Sequence, residues 1–445
     1  MFDEEEQKLA KWKEEIDKAS IADNRLEQAI KEGFQRAKQT TQVKKHPAVK
    51  RSIWSIVIAA VLLLTLVTSI RVSPAFANVV ASIPGMEKIV AIILDNKGLQ
   101  LAIANEHYQK IAVSGESSGI RITLEGLITD EDSLVAFYTF EHKKNSPNDF
   151  LVGYRILDKN GIEIVGEGGG YSTNWNHESD TKSLNTVEIE FEGAIPTDEL
   201  ILEVQISKEQ DVNDVQEVIQ LPFRVELNPI QKEQYILNET VHIAGQSMTI
   251  KSVTTGPLKT AVEVEFDADN TMEIYGFEDM RLVDDKGDVW SSIQNGVTGT
   301  WSEENPNVKT YYLQSNYFEQ LGSFTLMFNK LQALEKDEAY IVIDTEKGVI
   351  LKQPADKRFS VLTMKSNFIK LALKSEKGYN SQTFGDFIDA QGKEVWATSG
   401  GFSPISDKRV EISATYPNEA YVNPIKLPLH GYPQWIEGEV KIKLK

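Results

Sequence analysis

Histidine is the side chain best suited to bind metals or transfer protons near neutral pH, and the chain has six. They are His46, His107, His142, His177, His242 and His430. No two stand at the short spacing of a metal-ligand pair, and no nucleophile-elbow or phosphate-loop pattern occurs. Cysteine is absent, which excludes thiolate zinc sites, thiol nucleophiles and disulfides. We therefore expect neither an enzyme nor a bound cofactor.

Two other segments resemble ligand sites in outline. Gly168–Gly170 is a glycine run like those that cradle phosphates, but no Gly-Lys-Ser/Thr follows it, so a flexible loop is the favoured interpretation. Asp284, Asp285 and Asp288 surround Gly287 and could bind calcium, but the spacing and the closing glutamate of an EF-hand loop are missing. A solvated hairpin is the favoured interpretation there.

Length and charge limit the domain count and the class of partner. The chain has 445 residues, enough for about three domains. Its 47 basic and 66 acidic side chains give a net charge of -19, so the protein as a whole should repel nucleic acid. No direct nucleic-acid partner is expected.

The segment from Ile53 to Ile70 carries no charge, no proline and no glycine. As a helix it would span about 27 Å, at about 1.5 Å per residue, which is enough to cross a bilayer. A cleaved signal peptide is the alternative, since Ala75-Phe76-Ala77 imitates a cleavage site. However, 52 residues with many charges precede the apolar segment, whereas a signal peptide has a short basic leader. The sequence favours one transmembrane helix at residues 53–70.

Basic residues predict how this helix is oriented. Its N-terminal side is flanked by four cations, Lys44, Lys45, Lys50 and Arg51. Arg71 alone flanks the other side, so the positive-inside rule places residues 1–52 in the cytoplasm. We expect a single-pass protein of the cell membrane whose C-terminal domains are extracellular.

The predicted cytoplasmic segment, residues 1–52, contains an amphipathic helix. Its apolar stripe includes Leu26, Ala29, Ile30 and Phe34, at spacings of three and four residues. About 40 residues of short helices rarely bury all their apolar faces against each other, so the stripe is expected to bind a cytosolic protein. Contact with the inner leaflet, or a plain linker, remains the alternative.

Residues 71–109 are expected to form a juxtamembrane helical stalk. Met86, Ile89, Val90 and Ile93 make a second apolar stripe, and Asp95-Asn96-Lys97-Gly98 is predicted to end that helix with a left-handed C-cap. The stripe could pack beneath the first folded domain or rest on the outer leaflet. Packing is the favoured interpretation.

From about Ile120 the sequence alternates in the period of two that is typical of half-buried antiparallel strands. Three turns resemble one another: Leu157–Gly161, Val283–Gly287 and Ile388–Gly392, each with a glycine where a hairpin needs positive φ. Phe140, Phe266 and Leu371 stand 21 residues before the three glycines. Further along, Phe191, Val204 and Ile206 match the spacing of Phe328, Ile341 and Ile343.

These repeats predict tandem immunoglobulin-like β-sandwiches at residues 110–230, 231–349 and 352–445, with small barrels as the structural alternative. Each unit is expected to bury its own core. The predicted fold class is therefore membrane-anchored and mainly β, with short cytoplasmic helices, one transmembrane helix and sandwich ectodomains.

Several of these motifs resemble one family. They are Leu26-x-x-Ala29-Ile30-x-x-Gly33-Phe34 with Ala37-Lys38, the anchor, and Ser73-Pro74-Ala75-Phe76-Ala77 followed by Ile83-Pro84-Gly85. The arrangement resembles the anti-sigma-factor-like membrane proteins of Gram-positive, spore-forming bacteria, which carry extracytoplasmic domains of unknown function. The resemblance implies that the inner segment restrains an extracytoplasmic-function sigma factor. The His-x3-Cys-x2-Cys zinc cluster of better-known anti-sigma domains cannot form in a chain without cysteine.

Two functions are therefore expected from the sequence. The first is a single-pass regulator of transcription whose cytoplasmic helix binds a sigma factor, while the outer domains sense an envelope ligand or protect a site from a protease. The second is a membrane-anchored cell-surface binding or adhesion protein, whose inner tail only sets its topology.

Overall fold

The computed structural model describes residues 89, 92, 93, 95–142, 150–164, 168–172, 182–191, 193–196, 199–207, 215–226, 231–293, 298–301, 304–319, 323–375, 379 and 381–444. The predicted anchor and the predicted cytoplasmic helix lie outside these residues. Within the described part, no helix is long and apolar enough to cross a membrane. Helix α1 spans Lys97–Ala104, and antiparallel strands dominate the rest, so the mainly β prediction is confirmed.

Eight strands of the described residues form the first sandwich. They are β1 (Tyr108–Ser117), β2 (Ile120–Thr129), β3 (Ser133–Glu141), β4 (Phe150–Asp158), β5 (Gly168–Ser172), β6 (Lys182–Glu190), β7 (Glu199–Ser207) and β8 (Glu217–Arg224). One sheet has the order β1-β2-β3-β6-β5 and the other β4-β7-β8. Alternate residues of both sheets meet in one core, with Leu124 and Phe140 from the first and Leu202 and Leu221 from the second.

The edges β1 and β8 approach closely, so this sandwich is partly closed. A Cβ at Gly115 in β1 would lie 2.5 Å from Cγ2 of Ile219 in β8. The side chain of Gln109 also donates to the Arg224 carbonyl at 2.8 Å and accepts from the Glu226 N–H at 3.0 Å. The glycine at position 115 leaves room for the Ile219 side chain between the two strands.

In the described part of the chain, the second sandwich combines nine consecutive strands with β27. They are β9 (Glu233–Ile243), β10 (Gln246–Thr255), β11 (Lys259–Phe266), β12 (Met272–Phe277), β13 (Arg281–Asp284), β14 (Val289–Ser291), β15 (Gly299–Trp301), β16 (Val308–Gln314), β17 (Phe324–Glu335) and β27 (Trp435–Lys443). One sheet has the order β15-β16-β11-β10-β9, and the other β12-β17-β13-β14 with β27 paired to β17.

The third sandwich is formed by the strands that lie between β17 and β27 in the sequence. They are β18 (Tyr340–Asp344), β19 (Val349–Lys352), β20 (Phe359–Lys365), β21 (Phe368–Lys374), β22 (Phe387–Ile388), β23 (Glu394–Val395), β24 (Ser399–Ser406), β25 (Arg409–Thr415) and β26 (Ile425–Pro428). Its sheets have the orders β20-β21-β25-β24 and β19-β18-β26-β22-β23.

The repeat predicted from the turns is present in the structure. Gly161, Gly287 and Gly392 have φ values of 80°, 85° and 83°, and each follows an aspartate by three residues. In every copy the Oδ1 atom of that aspartate accepts hydrogen bonds from the N–H groups two and four residues further on, at 2.7 to 3.0 Å. The sheet order β1-β2-β3-β6-β5 also recurs as β9-β10-β11-β16-β15.

The second and third sandwiches exchange a strand. In the first, β8 directly follows β7 and pairs with it. In the second, β17 pairs instead with β27, which places Val440 and Ile442 in the core there. The strand that does follow β17, β18, pairs with β26 and places Ile341 and Ile343 in the third core. The predicted segments 231–349 and 352–445 thus each contain one strand of the other's core.

This exchange also corrects one of the predicted sequence matches. Phe191 follows the end of β6, whereas Phe328 lies in the middle of β17. Val204 and Ile206 are in β7, and the strand that pairs in the same way in the second sandwich is β17. Their predicted equivalents, Ile341 and Ile343, are in β18 instead. The equal spacing was a coincidence of two alternating strands, because period-two patterns match at many offsets.

Candidate functional site: the joint between the first two sandwiches

Helix α1 begins differently from the prediction. Asn96 is its N-cap, with extended φ and ψ, and its side chain accepts from the Leu99 N–H at 3.1 Å. Residues 92 and 93 are helical and residue 95 is a turn, so the predicted helix end is present. The left-handed C-cap is not, because Asn96 starts α1 and neither Asn96 nor Gly98 has positive φ. Asparagine suits both roles, and the sequence pattern did not separate them.

The apolar face of α1 packs on the outer face of the first sandwich. Leu99, Ala102 and Ile103 join a buried cluster with Ile128 of β2 and Phe137 of β3. The upstream residues Ile89 and Ile93 belong to the same cluster, so these members of the predicted stalk stripe pack against protein. Leu258, at the tip of the β10–β11 hairpin, completes the cluster from the second sandwich.

The N-terminus of α1 also contacts the second sandwich. The Gln314 side chain, at the end of β16, accepts from the Lys97 N–H at 3.1 Å and donates to the Asp95 carbonyl at 2.9 Å. A Cβ at Gly98 would lie 2.6 Å from the Ser315 nitrogen, so glycine permits backbone contact here. The Lys97 ammonium lies 5.6 Å from the centre of the Trp290 ring.

A second set of contacts beside α1 is ionic. Lys259 of β11 pairs with Glu190 of β6, and its Nζ lies 3.9 Å from a Glu188 carboxylate oxygen. The Tyr312 hydroxyl donates to Glu190 at 3.2 Å, and the Lys259 Nζ lies 3.9 Å from the centre of the Tyr312 ring. All three charged side chains are about nine-tenths buried, so each depends on the others for its stabilisation.

Lys232 forms the other half of the ionic contacts. Its Nζ lies 2.7 Å from Asp132 and 3.8 Å from Asp130, both in the β2–β3 turn. Burial raises the pKa of Asp130, and the Lys232 charge opposes this shift without cancelling it. Burial alone would lower the pKa of Lys232, but its acidic neighbours raise it overall. Asp130 also faces Gly256, where a Cβ would collide with its carboxylate.

Together these residues form one structure, which we name the joint. It comprises α1 with Gln314 and Ser315, and the charged residues Asp130, Asp132, Glu188, Glu190, Lys232 and Lys259 with Tyr312. Its contacts hold elements of the fold together. The joint fixes the first sandwich to the second. It also fixes helix α1, which follows residues 71–96, to both sandwiches.

The sequence-predicted site residues lie outside the described part of the chain. These are the helix stripe Leu26, Ala29, Ile30 and Phe34, and the topology residues Lys44, Lys45, Lys50 and Arg51. Asp284 was considered above as a calcium ligand. Its Oδ1 accepts hydrogen bonds from N–H groups of its own hairpin turn. In the described ranges, no three His, Asp or Glu side chains are grouped to hold a metal ion.

Sequence reasoning missed the joint. The one signal it offered was Leu258, an apolar residue in the turn Gly256-Pro257-Leu258, because an apolar turn residue calls for something to cover it. Gln314, Lys259 and Glu190 gave no signal, since polar residues at strand ends are usually solvated.

Comparison with known proteins links parts of the chain to families. Residues 49–142 match a family described as "Domain of unknown function (DUF4179)", and residues 232–365 match one described as "Family of unknown function (DUF5643)". Among curated proteins, none matches the chain. A solved structure described as "The crystal structure of the conserved domain protein from Bacillus anthracis" is 14% identical, covering 55% of this chain and 84% of that one. Its TM-score of 0.37 is too low to support an argument. The chain is thus similar, over two separate segments, to two families of unknown function.

Proposed function

We propose that the protein is a single-pass membrane regulator of transcription. In this proposal, residues 53–70 cross the cell membrane, and residues 1–52 bind a sigma factor through Leu26, Ala29, Ile30 and Phe34. The outer sandwiches, proposed to be immunoglobulin-like, respond to an envelope ligand or control access of a protease. Two antiparallel sheets around one core, in units of about 100 residues, support the immunoglobulin-like assignment.

The joint is the observation that carries this proposal. A regulator of this kind needs a rigid connection between its outer domains and its membrane segment. Helix α1 is bound by both sandwiches, so a change in their arrangement would move the chain that leads to the anchor. The family match over residues 49–142 includes both the predicted anchor and α1, so the two belong to one recurring segment.

The test is affinity capture of the full-length protein from cells. The wild type should recover a sigma factor. Phe34→Asp should recover at least about tenfold less, because a buried aromatic anchor contributes roughly 1.5 to 3 kcal/mol and the new charge needs solvation. Lys31→Ala, on the opposite helix face, is the matched control and should bind normally. Transcription from that factor's promoters should rise in the Phe34→Asp cells.

The second candidate is a membrane-anchored surface binding or adhesion protein. Exposed cations on one sheet of the third sandwich, among them the register partners Lys374 and Arg409, favour it, since they suit an anionic ligand outside the cell. If no sigma factor is captured and transcription is unchanged in Phe34→Asp cells, the regulatory proposal fails and this second function is retained.

A further inference from the structure

The outward face of the sheet β20-β21-β25-β24 is cationic. Alternate residues of these strands, such as Leu371 and Ile412, point into the third core. The residues between them point outward, and these include four cations, Lys365, Lys370, Lys374 and Arg409. Lys408 adds a fifth in the adjoining turn. We name this surface the cationic face.

Two of these cations are placed directly opposite each other. Lys374 and Arg409 are partners on neighbouring antiparallel strands, and both are exposed. Within the described ranges no acidic side chain pairs with either of them. The acid on the outward rows, Glu411, forms an ion pair with Lys370 at 2.6 Å, and Asp407 lies beside Lys408 in the adjoining turn. Like charges directly opposite destabilise a sheet, so this pair costs stability that nothing in the described structure offsets.

The Arg409 side chain is also held in position. Its Nη2 donates to the Ser360 hydroxyl at 3.1 Å, two strands away. This contact lays the guanidinium across the sheet, above Ala372, which is fully buried although it points outward. Its other N–H groups remain available for an anion, and guanidinium geometry suits phosphate oxygens.

Charge is distributed unevenly between the sandwiches. Residues 340–434 contain 12 Lys and Arg and 10 Asp and Glu, whereas residues 53–339 contain 20 and 44. The third sandwich is therefore weakly basic within a strongly acidic chain. A stiff polyanion would meet the acidic neighbours, but a flexible one could contact the cationic face alone.

We propose that the cationic face binds a flexible chain of linked phosphates. Hydroxyls of Ser403, Ser406 and Ser413 share the face and can donate to phosphate oxygens. Phe368 is the one aromatic residue on these outward rows. Single-stranded nucleic acid is therefore a less suitable ligand, because its bases stack on aromatic side chains placed between the cations. This proposal goes beyond the proposed function and does not depend on capture of a sigma factor.

The test uses the full-length protein in non-ionic detergent and fluorescein-labelled inorganic polyphosphate, followed by fluorescence anisotropy. Lys374→Gln/Arg409→Gln should bind about tenfold or more weakly than the wild type, since two direct charge contacts are lost. Lys441→Gln/Lys443→Gln is the charge-matched control, because it removes two exposed cations from β27 and changes the net charge equally, although Lys441 pairs with Glu439. The control should stay within about twofold of the wild type.

Thermal unfolding separates lost binding from lost folding. Relief of the like-charge pair should leave the melting temperature of Lys374→Gln/Arg409→Gln unchanged or raised. The exchange Lys374→Arg/Arg409→Lys keeps both charges and should retain most of the binding. Equal losses in the test and control variants, or no loss in either, would overturn the proposal. Binding to anionic phospholipid vesicles or to duplex DNA as tight as binding to polyphosphate would overturn it as well.

Discussion

Gly98 and Ser315 bring two distant parts of the chain into backbone contact: a Cβ at Gly98 would lie 2.6 Å from the Ser315 nitrogen. Side chains cannot repack to relieve such an approach, because one partner is main chain. The contact fixes how closely α1 can approach β16, and the Gln314 hydrogen bonds depend on that closeness.

We expect Gly98→Ala to destabilise the joint. Alanine favours a helix by about 1 kcal/mol, but forced displacement of packed backbone costs about 1 to 3 kcal/mol, so the net effect should be a lower melting temperature. Gly385→Ala is the control, because nothing lies within 4 Å of a Cβ there. Equal melting temperatures for both variants would contradict the contact.

Lys259→Met should destabilise the chain by about 3 to 5 kcal/mol, because it leaves Glu190 buried without its cation. Adding Glu190→Gln should restore part of that loss, since the charge that needs a partner is then gone. Chemical denaturation of the two single variants and the double variant measures the coupling. Additive effects would mean that the two side chains do not stabilise each other.

Asp389 should make the third sandwich less stable in acid. Hydrogen bonds from the Val422, Lys393 and Gln391 N–H groups lower the pKa of this carboxyl. Its stabilising contribution is therefore present above the unfolded-state pKa of about 3.9 and is lost as pH falls through the lower folded-state value.

The corresponding experiment compares melting temperatures of the wild type and Asp389→Asn between pH 7 and pH 3. The variant should be less stable at pH 7, and the difference should shrink as pH falls. Asp407→Asn, in the exposed β24–β25 turn, is the control, and its melting temperature should differ little from that of the wild type. A difference for Asp389→Asn that grows in acid would reverse the sign of the argument.

Residues 231–445 should fold cooperatively, whereas residues 231–349 should not. The shorter segment lacks Val440 and Ile442, each worth roughly 1.5 to 3 kcal/mol of burial, out of a typical total of 5 to 15. In the full chain, Ile442→Ala should cost about 2 to 5 kcal/mol, and Lys443→Ala, on the exposed side of β27, should cost little. A soluble, cooperatively unfolding 231–349 segment would show that β27 is dispensable.

The membrane orientation can be tested with cysteines, because the chain has none of its own. Ser381 is exposed in the third sandwich, and an impermeant maleimide on intact cells should label Ser381→Cys. Ser20→Cys should react only after permeabilisation. The opposite pattern would reverse the proposed topology.

The sequence predicted local features of the fold better than long-range ones. The three Asp-to-Gly turns were predictable, because a hairpin glycine at positive φ and a side-chain cap are set within five residues. The pairing of β27 with β17 was not predictable. The alternating sequence of β27 fits any half-buried position in a sheet, and the choice of partner strand depends on how the side chains pack in the core. Gly98 was assigned to a C-cap for the same reason: its actual role depends on Ser315, more than 200 residues away.

The exchanged strand has a consequence for how the protein is made. Synthesis proceeds from the N-terminus at roughly 5 to 20 residues per second, so β17 emerges about 100 residues before β27 can join it. Until then its edge is open to pairing with other chains. A premature stop or C-terminal trimming would remove a core strand of the middle domain, not a dispensable tail. The core of the middle domain therefore stays incomplete until β27 has been synthesised.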